Sequence, residues 1–350
     1  MLAVRCIVAD RSRWHSIAGV NISSLLSMPS VQQGLSEMEG LLKESVASGD
    51  PMLNQVATYL IDAGGKRLRP ALAISVATGG VREASKDDLL GAVAVELVHL
   101  GSLYHDDVMD EASMRRSVRS VNARWGNLVA IVAGDYLLAK SAEIAADLGP
   151  HIASLLARTL GELCRGQIGE VQTAYSTERT REQYFGVIAG KTAALMEASC
   201  RVGALTSGLP DSEVVALTDF GRYFGMAFQL RDDILDIIGS EDDLGKDPGQ
   251  DLAEGIYTLP VLVAIDDESV GSELRELLGK PLSDIERDRA RTLVMSCDAI
   301  SQSALAMREW LDASVRALDE ASSPALCSAL EQLSNSLDDD ILQAEPLGAV

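Results

Sequence analysis

The pattern of apolar and polar positions is helical from about residue 30 onward. Apolar residues recur every three or four positions, and runs that alternate at the two-residue period of a strand are absent. Proline, glycine and capping residues divide this pattern into segments. In the first part of the chain it predicts helices at 31–48, from Asp50-Pro51 to Gly64-Gly65, from Pro70 to Gly79-Gly80, and from Ser85 to about Asp110.

The rest of the chain divides in the same way. Gly149-Pro150 and Leu209-Pro210-Asp211 separate long periodic runs, and the polar, glycine-rich stretch 239–256 indicates a loop. From Tyr257 to about Leu342 the pattern indicates four or five shorter helices. The other predicted helices lie at 120–148, 151–174, 178–208 and 211–238. The chain is therefore predicted to be all-α.

Composition supports one large helical core. The 350 residues are 47% hydrophobic but only 4% aromatic, so the helices must pack through Ala, Leu, Val and Ile. Residues 1–28 show little periodicity. We expect them to be a loosely structured extension, or the result of a start codon placed upstream of Met28, and we expect 29–350 to form one helical domain.

The formal net charge of −22 argues against non-specific binding to nucleic acid or to an anionic membrane surface. An anionic substrate stays compatible with it, because local cations or a bound metal suffice. The five cysteines are odd in number and widely spaced, which favours a reduced, cytoplasmic protein. No apolar run approaches the roughly 20 residues of a transmembrane segment.

Two aspartate clusters carry the first chemical signal. Asp106-Asp107-x-x-Asp110 and Asp232-Asp233-x-x-Asp236 each lie near the end of a long apolar helix. Carboxylates four residues apart share a helix face and repel each other. A hard divalent cation would offset that repulsion, and magnesium typically shares its coordination shell with substrate phosphate oxygens. The two clusters therefore predict a magnesium site for a phosphorylated ligand.

Cations and glycines accompany these clusters. The segment 64–70, Gly-Gly-Lys-Arg-Leu-Arg-Pro, places three cations in a glycine-opened turn, and Arg115-Arg116 follows the first cluster. Lys191-Thr192 follows Gly190, and Gly245-Lys246 lies in the loop after the second cluster. A single Lys or Arg would be an ordinary surface charge. Together, beside carboxylate clusters, these residues predict diphosphate binding.

Six motifs in this order resemble those of the trans-isoprenyl diphosphate synthases, over about residues 50–260. In chain order they are Gly65–Pro70, Leu103–Asp110 with Arg115-Arg116, Gly134–Leu137, Gly190-Lys191-Thr192, Phe228–Asp236, and Gly245-Lys246 with Asp251. One departure is that Arg116 is followed by Ser117-Val118-Arg119-Ser120, where the family usually has a Gly and a Pro. This departure leaves the shape of the local loop open.

The resemblance implies a single large orthogonal helical bundle, the isoprenoid synthase fold, around a deep central cavity. It implies repeated condensation of an allylic diphosphate with isopentenyl diphosphate by a homodimer with three Mg²⁺ per active site, and transient membrane contact for product release. The implied metal ligands are Asp106, Asp107, Asp110, Asp232 and Asp236. Arg115, Lys191, Thr192, Gln229 and Lys246 would contact the allylic diphosphate, and Lys66, Arg69, His99 and Arg116 would hold isopentenyl diphosphate. The catalytic set would be Asp106, Asp110, Lys191, Asp232 and Lys246.

Product length is predicted from the helix that ends at the first cluster, along which the product grows in the resembling fold. Stepping back from Asp106 by helical spacing gives a wall of small residues, namely Gly101, Val98, Ala94 and Gly91, with Ser102 beside it. Short-chain members carry Phe or Tyr near the positions of Gly101 and Ser102. One helical turn spans about 5.4 Å, close to one isoprene unit. The open wall predicts a medium or long all-trans product of the quinone side-chain type.

Other interpretations stay open. The small residues could simply permit tight helix packing, and Trp125 or Tyr136 could block the wall from another helix, so a geranylgeranyl or farnesyl diphosphate synthase is the main alternative. A terpene cyclase would not need Lys66, and a non-catalytic synthase subunit usually loses aspartates from one cluster. Glu96-x-x-His99 resembles a di-iron motif, but the chain has no second copy.

Overall fold

The computed structural model describes residues 20–240 and 247–344, with side chains to residue 342. The described chain is almost entirely helical, which confirms the all-α prediction. Its helices are α1 Ser23–Leu26, α2 Pro29–Ser45, α3 Pro51–Asp62, α4 Leu68–Thr78, α5 Lys86–Met109, α6 Val121–Trp125, α7 Asn127–Asp147, α8 Pro150–Thr173, α9 Arg181–Ile188, α10 Ala194–Thr206, α11 Asp211–Ile238, α12 Gln250–Ala253, α13 Leu259–Ile265, α14 Gly271–Leu277, α15 Asp284–Met295, α16 Ala299–Ala317 and α17 Pro324–Ala344.

The helices that end at the two aspartate clusters, α5 and α11, lie in the middle of the bundle. From Leu89 to Val98 nearly every residue of α5 is buried, as expected for a helix that is apolar on all sides. α5 packs against α7, α4 and α10, while α11 packs against α10 and α16. A main core joins most of the helices, and a smaller aliphatic cluster lies among α5, α7, α8 and α10.

Helix starts were predicted well where a local cap sets them. Ser85 accepts a hydrogen bond from the Asp88 amide, and Asp88 bonds back to the Ser85 amide, which forms the predicted capping box. Asp50 caps α3 in a similar way. The predicted helix 120–148 is instead two helices, because Gly126 has a φ of +87°. The predicted helix 178–208 contains a π-helical segment, Ala189–Ala193.

The N-terminal range 1–28 was predicted to be loose, and its first 19 residues lie outside the described part of the chain. Residues 20–28 are packed. Val20, Ile22, Leu25 and Met28 are buried, and α1 rests on α17. One short helical turn buries these apolar side chains together. A single turn is too short to produce a recognisable periodicity in the sequence.

A short β-hairpin was not predicted. Its strands, β1 Met114–Arg115 and β2 Val118–Arg119, have two residues each. Arg116 and Ser117 form its turn with φ values of 51° and 62°. This is where the sequence departs from the family's Gly and Pro, and two left-handed residues make the turn instead. In the described part of the chain, no helix combines the length and apolar character needed to cross a membrane.

Candidate active site

In the first aspartate cluster, the middle carboxylate contacts Arg115 and the outer two lie near Lys191. Asp107 is fully buried, and its Oδ1 accepts a hydrogen bond of 2.7 Å from Nε of Arg115. Asp106 and Asp110 instead lie within the electrostatic reach of Lys191. Burial and the neighbouring Asp110 raise the pKa of Asp106 to about 6, although Lys191 opposes both. The cluster therefore presents two carboxylates and one buried support.

Lys191 stands beside these two carboxylates because of the π-helical segment that contains it. Its Nζ forms an ion pair with Glu170 of α8, a residue that the sequence analysis did not single out. Burial alone would lower the pKa of Lys191, but Glu170 and Asp106 outweigh it and raise that pKa. Glu170 had no distinguishing signal in the sequence, since acidic residues are common throughout the chain.

Two glycines let α8 and the π-helical segment touch through their backbones. A Cβ on Gly166 would lie 2.5 Å from the Lys191 amide nitrogen, and one on Gly190 would lie 2.7 Å from the Glu162 carbonyl oxygen. Such distances are too short for any side chain. The close crossing therefore places the Lys191 backbone directly against α8.

A hydrogen-bonded chain links Lys191's neighbour to the second cluster. Thr192 donates to Oε1 of Gln229 at 2.6 Å, and Gln229 donates to Oδ1 of Asp233 at 2.8 Å. Tyr184 donates to the other oxygen of Asp233 at 2.5 Å. Burial raises the pKa of Asp233 to about 7. The middle aspartate of this cluster is thus a buried anchor, like Asp107 in the first.

The outer residues of the second cluster differ in exposure. The Asp232 side chain is 39% exposed and lies 2.6 Å from Nη1 of Arg231. Asp236 is buried, and its Oδ2 accepts a hydrogen bond of 3.3 Å from the Asp251 amide. Asp251 is described, whereas Gly245 and Lys246 lie outside the described residues.

The basic turn and His99 form a pocket of cations. Nη1 of Arg69 lies 3.3 Å from Nε2 of His99, and Arg116 donates to the carbonyl oxygens of Leu60 and Gly64. Nζ of Lys66 and Nε of Arg69 are buried and have no hydrogen-bond partner within the described part of the chain. Buried cationic groups without partners are unfavourable, so this pocket is built for an anion.

The pKa values of the pocket residues are lowered mainly by burial, with a smaller contribution from neighbouring cations. Burial and then Arg231 lower the pKa of Lys66, and burial lowers the pKa of Arg69 to about 10. Burial and the guanidinium groups of Arg69 and Arg116 hold the pKa of His99 well below 6.5. His99 is therefore neutral at pH 7.

Arg67 lies in the same turn but has a supporting role. It is buried, with a φ of 52°, and pairs with Glu39 and with Glu96 at 2.8 Å. This contact connects the turn to α2 and α5. Glu96 is therefore the partner of an arginine, which agrees with setting aside the di-iron interpretation of Glu96-x-x-His99.

A groove of about 420 Å³ extends from the first cluster between α5, α7 and α8. Asp106 and Lys191 lie at one part of it, and apolar side chains line much of the remainder, including Leu138, Leu160, Leu163 and Ile168. Ser102 lines the groove as predicted. No Phe, Tyr or Trp does so; Trp125 packs against Tyr59, and the Tyr136 hydroxyl donates to Val46.

The residues of the predicted wall differ in what they contact. Gly101 lies at the crossing of α5 and α7, where an added Cβ would lie 2.9 Å from Cγ of Leu138 and 3.1 Å from the Gly134 carbonyl oxygen. Gly91 similarly packs against Val202. Ala94 and Val98 belong to the smaller aliphatic cluster, which shares Leu138 and Leu163 with the groove. The groove face of α5 therefore runs through Ser102, and the two glycines serve helix packing.

Carboxylate oxygens are the right donors for magnesium, and those of Asp106, Asp110 and Asp232 fit it chemically. Asp106 and Asp110 have raised pKa values, which a nearby cation would lower. No group of three or more His, Cys, Asp or Glu side chains in residues 20–240 and 247–344 is close enough to form a metal site by itself. Magnesium ions that complete their shells with substrate phosphates do not require such a group.

Comparison with known proteins identifies the family. The family model described as polyprenyl synthetase matches residues 50–293. A nonaprenyl diphosphate synthase of Mycobacterium tuberculosis is 40% identical over 270 residues, which cover 77% of this chain and 80% of that protein. The crystal structure of a decaprenyl diphosphate synthase from Rhodobacter capsulatus has a TM-score of 0.84 and 31% identity, covering 91% of this chain and 99% of the other.

A further solved structure bears on the metal. A polyprenyl synthase from Caulobacter crescentus, described as complexed with calcium and isoprenyl diphosphate, has a TM-score of 0.84 and 28% identity. The matched region covers 91% of this chain and 98% of the Caulobacter crescentus protein.

Proposed function

The chain belongs to the polyprenyl synthetase family, and from this we propose that it is a trans-polyprenyl diphosphate synthase. It condenses an allylic diphosphate with isopentenyl diphosphate, repeatedly, to a medium or long all-trans product. The observation that carries the chain length is the groove beside Asp106 and Lys191, whose lining includes no Phe, Tyr or Trp side chain. Relatives with nonaprenyl and decaprenyl names support the same length.

The allylic diphosphate is proposed to lie between the two aspartate clusters. Asp106, Asp110 and Asp232 would hold Mg²⁺ there, with Asp236 in support, and the resemblance implies three ions. Bound Mg²⁺ would stabilise the negative charge that develops on the diphosphate leaving group. Asp107 contributes through Arg115, because the Arg115 guanidinium already occupies its Oδ1. Glu170 is an additional carboxylate within electrostatic reach of Asp110.

Fixed cations share the task of stabilising the leaving group. Arg115 and Lys191, with Lys246, are proposed to contact the allylic diphosphate, and Thr192 and Gln229 to orient it. Lys191 has a partner at present in Glu170, so its charge is already positioned beside Asp106 and Asp110. Preorganised charge of this kind stabilises the transition state without reorganisation.

Isopentenyl diphosphate is proposed to occupy the cation pocket of Lys66, Arg69, His99 and Arg116. Its diphosphate would pair with the buried Lys66 and Arg69 groups that have no partner in the described structure. Its double bond attacks the allylic carbocation, and a proton is then lost to the released diphosphate. The apolar groove keeps water from the carbocation and accepts the lengthening chain.

Finer features of the function are proposed as well. Met52, Leu128 and Val132 of α3 and α7 are at least half exposed and border an apolar hollow of about 360 Å³. This surface suits the expected homodimer. We also propose a cytoplasmic enzyme that makes a quinone side-chain precursor and contacts a membrane transiently to release it.

The direct test is to incubate the purified protein with Mg²⁺, labelled isopentenyl diphosphate and farnesyl diphosphate, and to measure the product sizes. We expect products several isoprene units longer than farnesyl diphosphate, and none after addition of EDTA. A product of only farnesyl or geranylgeranyl size would contradict the chain length. Absence of any condensation would contradict the proposed activity.

A further inference from the structure

A buried arginine joins the second aspartate cluster to the last helix. Arg231 of α11 is 1% exposed, and its Nη1 lies 2.6 Å from Oδ1 of Asp232. Its Nε and Nη2 lie 3.0 and 2.6 Å from Oδ2 of Asp340, which lies near the end of α17. One guanidinium thus contacts both a predicted metal ligand and a residue 109 positions later.

The two carboxylates compete for this arginine. A buried guanidinium must remain paired, because an uncompensated charge in the interior is strongly destabilising. Two of the three guanidinium nitrogens contact Asp340, and the third contacts Asp232. If Asp340 lost its charge, more of the guanidinium's positive charge would act on Asp232, and a cation binding Asp232 would have to compete with it.

We propose that Asp340 is a positioning residue that keeps Asp232 available to a divalent cation by sharing Arg231 with it. The proposal rests on the proposed function, because that function makes Asp232 a metal ligand. The surroundings agree with this role. Lys66 of the cation pocket feels the charges of Arg231, Asp340 and Asp232, so the last helix borders the site itself.

Replacing the charge of Asp340 tests the proposal. Partners of metal ligands typically change metal affinity about tenfold or more, and we expect Asp340→Asn to weaken Mn²⁺ binding by roughly that factor. Binding is measured on the full chain by the electron paramagnetic resonance signal of free Mn²⁺, with inorganic diphosphate present. Asp340→Glu should restore binding to within about twofold, since it keeps the charge.

A matched control lies two residues earlier on the same helix. Asp338 pairs with Arg308 through a 2.7 Å contact at the surface. Asp338→Asn removes a carboxylate from α17 in the same way but touches no residue of the site, so Mn²⁺ binding should stay at the wild-type value. If both variants weaken binding equally, the effect is one of helix stability and the proposal is wrong.

A double-mutant cycle separates positioning through Arg231 from a direct charge effect. In an Arg231→Met background, Asp340→Asn should change Mn²⁺ binding less than twofold, because there is no arginine to share. A tenfold loss in that background would contradict the proposal. If Asp340→Asn does not fold, the double variant Arg231→Met/Asp340→Leu replaces the buried ion pair by apolar side chains. Mn²⁺ binding by this double variant that equals or exceeds wild-type binding supports the proposal. Loss of its Mn²⁺ binding overturns the proposal.

These measurements do not depend on catalysis. Wild-type protein that binds Mn²⁺ and responds to Asp340→Asn but forms no product would contradict the proposed function alone. Wild-type protein that forms product while Asp340→Asn binds Mn²⁺ normally would contradict the role of Asp340 alone.

Discussion

Asp107 and Arg115 form a 2.7 Å ion pair in which the carboxylate is fully buried and the guanidinium is 30% exposed. The pair bends the chain after α5 back onto its own end and holds Arg115 near Asp106 and Asp110. The middle aspartate of the first cluster therefore positions Arg115, while the outer two are the proposed metal ligands.

This division predicts different consequences for neighbouring aspartates. Asp106→Asn should lower kcat at least about 100-fold with little loss of stability, because it removes a metal ligand whose charge is already disfavoured by burial. Burial also raises the pKa of Asp107, but Asp107 accepts the hydrogen bond of Arg115, so Asp107→Asn should lower the free energy of unfolding by about 1–3 kcal/mol by weakening that contact. Steady-state kinetics and urea unfolding measure the two effects. Equal stability losses would contradict the division.

Product length should respond to Ser102 rather than to Gly101. Ser102→Phe adds a ring inside the groove, so the main product should become at least one isoprene unit shorter, while Ser102→Ala should leave its length unchanged. Gly101→Ala should instead lower the free energy of unfolding by about 1–3 kcal/mol, because its Cβ meets Leu138 and the Gly134 backbone. Chromatographic sizing of the products decides this. An unchanged product length in Ser102→Phe would show that the chain grows elsewhere.

The position of Lys191 should depend on Gly166. A methyl group there meets the Lys191 amide at 2.5 Å, so Gly166→Ala must push the π-helical segment away from α8. We expect kcat to fall by about tenfold or more, since small misplacements of catalytic groups have large effects. Gly161 is the matched control on the same helix, because a Cβ there meets no atom within 4 Å. Gly161→Ala should keep kcat and raise stability by up to about 1 kcal/mol.

His99 should make the ligand-free protein sensitive to mild acid. Its pKa is well below 6.5 in the folded state, so below pH 6.5 the unfolded chain binds a proton that the folded chain does not. Stability is therefore complete above pH 6.5 and decreases as the pH falls, by up to about 1.4 kcal/mol per pH unit. Urea unfolding of the wild type and of His99→Gln between pH 7.5 and 5 measures this. Identical pH dependence of the two proteins would contradict the prediction.

The sequence predicted what local signals determine. Proline, glycine and Ser85-type caps define most helix boundaries, and the aspartate and basic motifs identify the residues around the site. The sequence did not decide between Gly101 and Ser102 as the residue on the groove face of α5, because both are small and adjacent in the chain. A rotation of one residue, about 100°, separates the two.

Contacts between distant segments could not be predicted in this way. Glu170 meets Lys191 only because Gly166 and Gly190 let two helices touch, and Asp340 meets Arg231 across 109 residues. A single acidic residue in a chain with 52 Asp and Glu has no signature of its own. The roles of such residues follow from tertiary packing, which a single sequence does not reveal.

The left-handed backbone around the cation pocket has a consequence for how this protein can change. Arg67, Arg116 and Ser117 all have φ between 51° and 62°, a conformation that costs a non-glycine residue roughly 1 kcal/mol or more. Glycine would relieve this strain, but at the two arginines it would also delete a guanidinium. Of these three positions, Ser117 is therefore the one at which glycine would relieve the backbone strain without removing an arginine beside the pocket.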